Sequence, residues 1–186
     1  MTSSNHVFDV VVIGAGVAGL TLSWRVAEKG FKVALVESKP RERIGDKVCG
    51  DAIGLHHVER LGLKIPSSIV DYEYRGVVVY SPSREHSIVV PGSGLSVNRY
   101  RFGQWLLKNA LDAGVELYDN HTLKAVRVKD NLVESVEVRE TSSTQSAQLK
   151  AKIFVDASGA VPALRSKLPA DWPISERPYT TDYNMA

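Results

Sequence analysis

The sequence holds a single cysteine, Cys49. No internal disulfide can form, so the fold must stand on packing and hydrogen bonds, and the chain suits a reducing cytoplasm. It also lacks any run of the roughly 18 apolar residues that a membrane-spanning helix needs. The apolar run at Val10–Ile13 leads straight into glycines. The opening stretch, Met1–His6, has no basic region of the kind that begins a secretion signal, so none is expected. Charge of one sign is missing as well. The 23 Lys plus Arg against 21 Asp plus Glu leave a net charge of +2. That is too little for a nucleic-acid surface, and no nucleic-acid partner is expected. His6, His56, His57, His86 and His121 show no metal-ligand spacing, so no metal site is expected. No P-loop, Ser/His/Asp arrangement or internal repeat is visible. The one polar tract, residues 141–146, reads as a hairpin loop.

What is present is ordinary for a soluble globular protein. The 186 residues are 44% hydrophobic and 24% charged, which suits one domain or one and a half. Phe8–Ile13 is a continuous apolar run, the mark of a buried parallel strand. Val17–Lys29 carries Val17, Leu20, Trp24 and Ala27 at helical spacing, and Gly30 ends it. Lys32–Glu37 reads as a second strand, 38–51 as a polar loop, and Ala52–Leu61 as a short helix stopped by Gly62. Arg75–Tyr80 and Ser87–Pro91 read as paired strands. Tyr100–Ala113 reads as a helix and Val115–Tyr118 as a third strand of the first sheet. Leu123–Val128 and Leu132–Val138 form a hairpin, and Lys150–Asp156 another buried strand.

The strongest motif is Gly14-Ala15-Gly16-Val17-Ala18-Gly19, a G-x-G-x-x-G directly after a strand and opening a helix. The first glycine permits a tight turn, the second lets backbone approach a pyrophosphate, and the third lets helix and strand pack closely. The helix start offers free N–H groups and partial positive charge to phosphate. Glu37 ends the next strand, 18 residues after Gly19, where a carboxylate can accept from a ribose diol. An acid there disfavours a 2′-phosphate, although Arg41 and Arg43 follow closely. The fingerprint by itself leaves NAD and FAD both open. A plain NAD domain would continue in regular βα repeats, and this chain does not.

The layout resembles the glutathione-reductase-like FAD fold in its hydroxylase-type branch. Asp156, Gly159 and Arg165 match the late strand, glycine and arginine of that branch. Arg99 and Phe102 match an R-x-x-F that opens its middle helix, which implies Arg99 near the pyrophosphate or ribityl chain. The stretch Arg43-Ile44-Gly45-Asp46-Lys47-Val48-Cys49-Gly50-Asp51-Ala52 resembles the geranylgeranyl reductase family, within it the archaeal enzymes that saturate isoprenoid chains of ether lipids. Arg165–Pro169 and Gly114–Asp119 are similar to the same group, and the likeness runs from about Phe8 to about Arg177.

The resemblance implies an α/β fold. It would be a Rossmann-like FAD-binding domain with a βαβ core, a three-stranded antiparallel meander and the beginning of a substrate-domain sheet. Residues 1–72 and 95–168 would form the FAD domain, 73–94 the first strands of the substrate sheet, and 169–186 a linker toward a missing C-terminal portion. FAD would meet Gly14, Gly16, Ala18, Gly19, Glu37, Cys49, Gly50, Ala52, Arg99, Leu123, Asp156 and Gly159. Cys49 would lie near the flavin face, steering substrate or giving a proton. Lys47 and a helix start just after it would favour thiolate. The implied activity is reduction of isolated C=C bonds in geranylgeranyl chains of glycerol ether lipids. Implied partners are that prenylated lipid, an electron donor such as NAD(P)H or ferredoxin, and the inner face of the cell membrane as a peripheral contact. The rival readings are an FAD-dependent aromatic hydroxylase and a non-catalytic nucleotide-binding module.

Overall fold

The computed structural model describes residues 5–173. The elements run β1 (Asn5–Ile13), α1 (Val17–Ala27), β2 (Val33–Val36), β3 (Ala52–Gly54), α2 (Leu55–Arg60), β4 (Val70–Tyr80), β5 (Ser87–Val97), α3 (Arg99–Asp112), β6 (Glu116–Tyr118), β7 (His121–Lys129), β8 (Leu132–Glu140) and β9 (Ser146–Asp156). Single 3-10 turns lie at Arg41–Arg43, Ser67–Ile69 and Arg165–Lys167. The chain divides into two compact units. One is the chain up to Ile44 with everything from Gly103 onward, and the other is Gly45–Phe102.

The first unit is built on a six-stranded sheet in the order β6-β2-β1-β9-β8-β7. β6, β2, β1 and β9 run parallel, while β8 and β7 continue antiparallel from β9. All four residues of β2 are buried, as are Val10–Ile13 of β1, which is why both read as unbroken apolar runs. Leu20, Trp24 and Ala27 of α1 and Leu106, Leu107 and Ala110 of α3 are buried too. Trp24 and Trp105 meet edge to face at 5.7 Å. A second apolar cluster joins Phe8, Val11 and Ile13 to Leu123, Val136, Val138, Leu149, Leu164 and Leu168. Each fully buried Leu or Val contributes about 1.5–3 kcal/mol.

β9 does two jobs. Its first residues, Ser146–Lys150, pair antiparallel with β8, while Gln148–Asp156 pair parallel with β1. The third strand of the meander and the last parallel strand are therefore one 11-residue strand. Beyond it, Arg165 opens the single 3-10 turn Arg165–Lys167. Of the expected linker, Trp172 packs on the apolar cluster, and 174–186 lie outside the described residues.

The second unit holds a three-stranded antiparallel sheet in the order β3-β5-β4. β4 and β5 pair along their length, past register shifts between Val70 and Tyr72 and between Tyr74 and Gly76. Tyr74 lies across Gly94, where a Cβ would fall 2.1 Å from its ring. Val77, Val78 and Val79 on β4 and Ile88, Val89 and Val90 on β5 are exposed. The helix expected over Ala52–Leu61 starts later. Ala52–Gly54 is strand, held by pairing with Ser96, Leu95 and Gly94, and only Leu55–Arg60 is helical.

Candidate functional site

The site grows from the C-terminal end of β1. There Gly14 takes a φ of +104°, a conformation that suits glycine. A Cβ on Gly14 would sit 2.5 Å from the carbonyl oxygen of Ala157, and one on Gly19 would sit 1.9 Å from that of Gly14. Both glycines are required by the fold itself. Gly16 is different. A Cβ there would meet nothing within 4 Å, and its φ of −71° is open to any residue. Nothing among the described residues explains why position 16 is bare. It is the N-cap of α1, and no side chain caps that helix. The N–H groups of its first turn, at Val17, Ala18 and Gly19, are thus open donors with the positive end of the helix dipole behind them. An anion approaching the backbone at Gly16 meets that whole set.

Glu37 stands beside this loop. Its Oε2 accepts the backbone N–H of Ala15 at 2.7 Å, and its Oε1 accepts from the Ser38 hydroxyl at 3.0 Å and the Lys39 N–H at 2.9 Å. A carboxylate offers about four acceptor positions, so one remains for an outside hydroxyl. The ends of β1 and β2 frame a cleft of about 200 Å³ lined by Ile13, Gly14, Val36, Glu37, Ser38, His121, Thr122, Leu123, Ser158 and Ala163. This is the crevice beyond the carboxyl ends of parallel strands, where α/β sheets bind ligands. His121 and Ser158 join it without having been singled out in the sequence. Their only signal was position, one at the head of β7 and one just past β9. The His121 ring is fixed by a 2.6 Å contact with the Asp119 carbonyl and an edge contact with Tyr118. Burial and the neighbouring Glu116 carboxylate push the Tyr118 hydroxyl well above its ordinary range.

Asp156 ends β9 opposite Ile13. Its Oδ2 accepts the N–H groups of Leu164 and Arg165 at 2.9 and 2.8 Å. Its Oδ1 accepts the Ser158 hydroxyl at 2.5 Å and the Ser158 N–H at 3.2 Å. Burial raises its pKa, but these bonds outweigh burial and hold it below the ordinary carboxylate value. Its acceptor positions are all spent on its own chain. Gly159, with a φ of +102°, lies in the loop so closed, and a Cβ there would meet nothing within 4 Å.

Gly14, Gly16, Ala18, Gly19, Glu37, Leu123, Asp156 and Gly159 thus belong to the first unit, while Cys49, Gly50, Ala52 and Arg99 belong to the second. In the second, Cys49 is an exposed free thiol. A Cβ on Gly50 would meet nothing within 4 Å, so its bareness, like that of Gly16, answers to nothing in the fold. Asp51 follows in the left-handed region at φ 58°, and its carbonyl accepts the N–H of Val97 at 3.0 Å. The helix that was to favour the Cys49 thiolate is not adjacent to it, because β3 intervenes before α2. Ala52 pairs with Ser96. Arg99 opens α3 just after Asn98, whose side chain accepts the Arg101 N–H at 2.9 Å. Among the described residues nothing pairs with the Arg99 guanidinium.

A family profile described as Lycopene cyclase protein matches residues 9–172. The chain is 35% identical over 170 residues to the digeranylgeranylglycerophospholipid reductase of Sulfolobus acidocaldarius, covering 91% of this chain and 38% of that protein. Among solved structures, a geranylgeranyl bacteriochlorophyll reductase-like protein of Thermoplasma acidophilum superposes with a TM-score of 0.71 at 23% identity, covering 81% of this chain and 39% of that one. The myxobacterial chondrochloren halogenase CndH, an FAD-dependent halogenase, superposes with a TM-score of 0.70 at 25% identity, covering 83% and 38%. The chain spans under two fifths of the length of each of these three proteins.

Proposed function

The chain belongs to the lycopene cyclase protein family, and from that premise we propose that it is the cofactor-binding part of an FAD-dependent reductase that saturates C=C bonds in geranylgeranyl chains of ether lipids. The bare backbone at Gly16, in front of the uncapped start of α1, carries the reading. The residues present fit FAD. The pyrophosphate would be held at Gly16, Val17 and Ala18, a ribose hydroxyl by Glu37, and the adenosine in the cleft beside Leu123. Arg99, without a partner among the described residues, would supply positive charge for a phosphate group. FAD, when bound and reduced, supplies the hydride that one carbon of the double bond receives, and the other carbon takes a proton.

The chain's own residues do the rest. Cys49 lies on an exposed segment next to a glycine that leaves room for a ligand, which suits a thiol that steers the prenyl chain or gives the proton. Val77–Val79 and Ile88–Val90 leave apolar side chains exposed on both strands of a ribbon, which suits residues 73–94 as the start of a sheet that receives an apolar chain. The 35% identity to a digeranylgeranylglycerophospholipid reductase supports the lipid over an aromatic substrate. No helix among the described residues is long and apolar enough to cross a membrane. The complete enzyme would meet its lipid by peripheral contact with the cytoplasmic leaflet and draw electrons from NAD(P)H or ferredoxin.

The test is a single turnover. The complete, FAD-loaded enzyme is reduced, mixed without oxygen with a geranylgeranyl glycerol ether lipid, and followed at the flavin absorbance while products are weighed by mass spectrometry. Reoxidation matched by a gain of two hydrogens per flavin supports the proposal. Reoxidation only by oxygen in the presence of an aromatic would replace it with the hydroxylase reading.

A further inference from the structure

The loop after β9 is closed by one side chain. Asp156 takes the N–H groups of Leu164 and Arg165 on one oxygen and the hydroxyl and N–H of Ser158 on the other. Ser158 in turn accepts the N–H of Ala163 at 2.8 Å. Residues 157–165 are thereby folded back onto the end of the strand, and Leu164, at the far side of the clasp, is buried in the apolar cluster. The near side of the loop faces the glycine turn. The Ala157 N–H donates to the Ile13 carbonyl at 2.8 Å, and the Ala157 carbonyl occupies the space a Gly14 Cβ would need. Ser158 and Ala163 line the cleft.

We propose that Asp156 is a positioning residue for the bound dinucleotide: it clasps residues 157–165 into a fixed rim beside the Gly14 turn and does not itself touch the ligand. The proposal rests on the dinucleotide reading above. Two observations carry it. The carboxylate has no acceptor position left over once its four bonds are counted. And the backbone it fixes is the surface against which the Gly14 turn packs, so loosening the loop loosens the turn that presents Gly16.

Asp156→Ala tests this in the full chain. It strands the buried N–H groups of Leu164 and Arg165 and frees the rim. Three quantities are read on folded protein: amide hydrogen exchange at Ser158, Leu164 and Arg165 without ligand, and the dissociation constants of FAD and of ADP by titration calorimetry. Loss of protection at those amides with FAD and ADP both weakened by about tenfold or more, the scale of at least one hydrogen bond to a charged group, supports the clasp. Unchanged affinity despite lost protection overturns it. So does weakened affinity with protection intact, since that is the signature of a direct contact. If Asp156→Ala does not fold, Asp156→Asn keeps one oxygen acceptor and is judged by the same three readings. A wild-type chain that binds neither FAD nor ADP would sink the dinucleotide reading itself, a result distinct from any difference between variant and parent.

Discussion

The Glu37 carboxylate holds the backbone N–H of Ala15 at 2.7 Å, in the cleft that Ser158 and Ala163 of the Asp156 loop also line. The acid at the end of β2 is therefore a brace for the glycine turn before any ligand arrives. This gives Glu37→Gln a double cost. The amide keeps one acceptor oxygen for the Ala15, Ser38 and Lys39 donors and offers a ribose hydroxyl no charge. FAD binding should weaken by about 1–2 kcal/mol, roughly 5- to 30-fold. Fluorescence titration of FAD measures it. Unaltered affinity would remove Glu37 from the ribose contact.

The three glycines of the turn should separate into two behaviours. Gly19→Ala puts a Cβ 1.9 Å from the Gly14 carbonyl, so the chain must shift, and thermal stability should fall by several degrees whether or not FAD is present. The Cβ of Gly16→Val meets nothing within 4 Å among the described residues. Its melting temperature without ligand should stay close to that of the parent, within the roughly 1 kcal/mol of a lost N-cap glycine, while FAD binding is abolished. A Gly16→Val protein that retains flavin at parental occupancy would sink the assignment of the site.

Asp156 also sets an acid limit to stability. Burial opposes its charge, but the bonds from Arg165, Ser158 and Leu164 prevail and leave its pKa below the ordinary 3.8. A carboxyl with a depressed folded pKa contributes stability that is fully present above its unfolded pKa and is lost as pH falls through the folded one. Asp156→Asn lacks that contribution. The melting-temperature gap between parent and variant should be widest near neutral pH and close progressively below about pH 4. Asp9 and Glu28, whose pKa values are lowered by exposed partners, titrate alike in both proteins and cancel in the comparison. A gap that does not vary with pH would show that the variant acts through packing.

Much of this was legible in the sequence because the signals were local. The apolar run of β1, the glycine spacing and the acid at 37 lie within one βαβ unit, and each has a single structural reading. What escaped depends on partners far along the chain. Ala52–Gly54 is a strand only because Leu95 and Ser96 pair with it, and no three-residue window announces that. β5 continues past the expected end at Pro91 through Gly92-Ser93-Gly94, where Tyr74 on β4 fills the space above Gly94. β9 begins four residues before the expected Lys150, since its opening stretch serves the meander. In the site, Asp156 was legible as important, but its role was not. Only the fold shows that its oxygens face its own chain.

Membrane contact gives a prediction about the complete enzyme. If the proposed prenyl substrate is right, it is insoluble, and the complete enzyme would collect it from a bilayer by apolar contact aided by basic residues. It should sediment with vesicles containing anionic lipid and be released as salt rises past the range where surface charges are screened. No sedimentation at any salt would argue for a soluble substrate.

The remaining prediction concerns Cys49. Its thiol is free and exposed, with Gly50 bare beside it. β3 separates it from α2. If Cys49 gives the proton or orients the chain, Cys49→Ser should keep FAD and slow double-bond reduction by about tenfold to a thousandfold, the range for a positioned acid. Cys49→Ala should be at least as slow, because it has no proton to give. An exposed residue owes little to packing, so neither variant should change stability by more than about 0.5 kcal/mol. That separates catalytic loss from unfolding. The measurement is single-turnover oxidation of pre-reduced enzyme by a geranylgeranyl lipid, at several pH values. A pH optimum that disappears in both variants ties the proton to the thiol. Rates equal to the parent in both variants would leave Cys49 without a part in the chemistry, and the proposed activity would then rest on the dinucleotide site and the relatives alone.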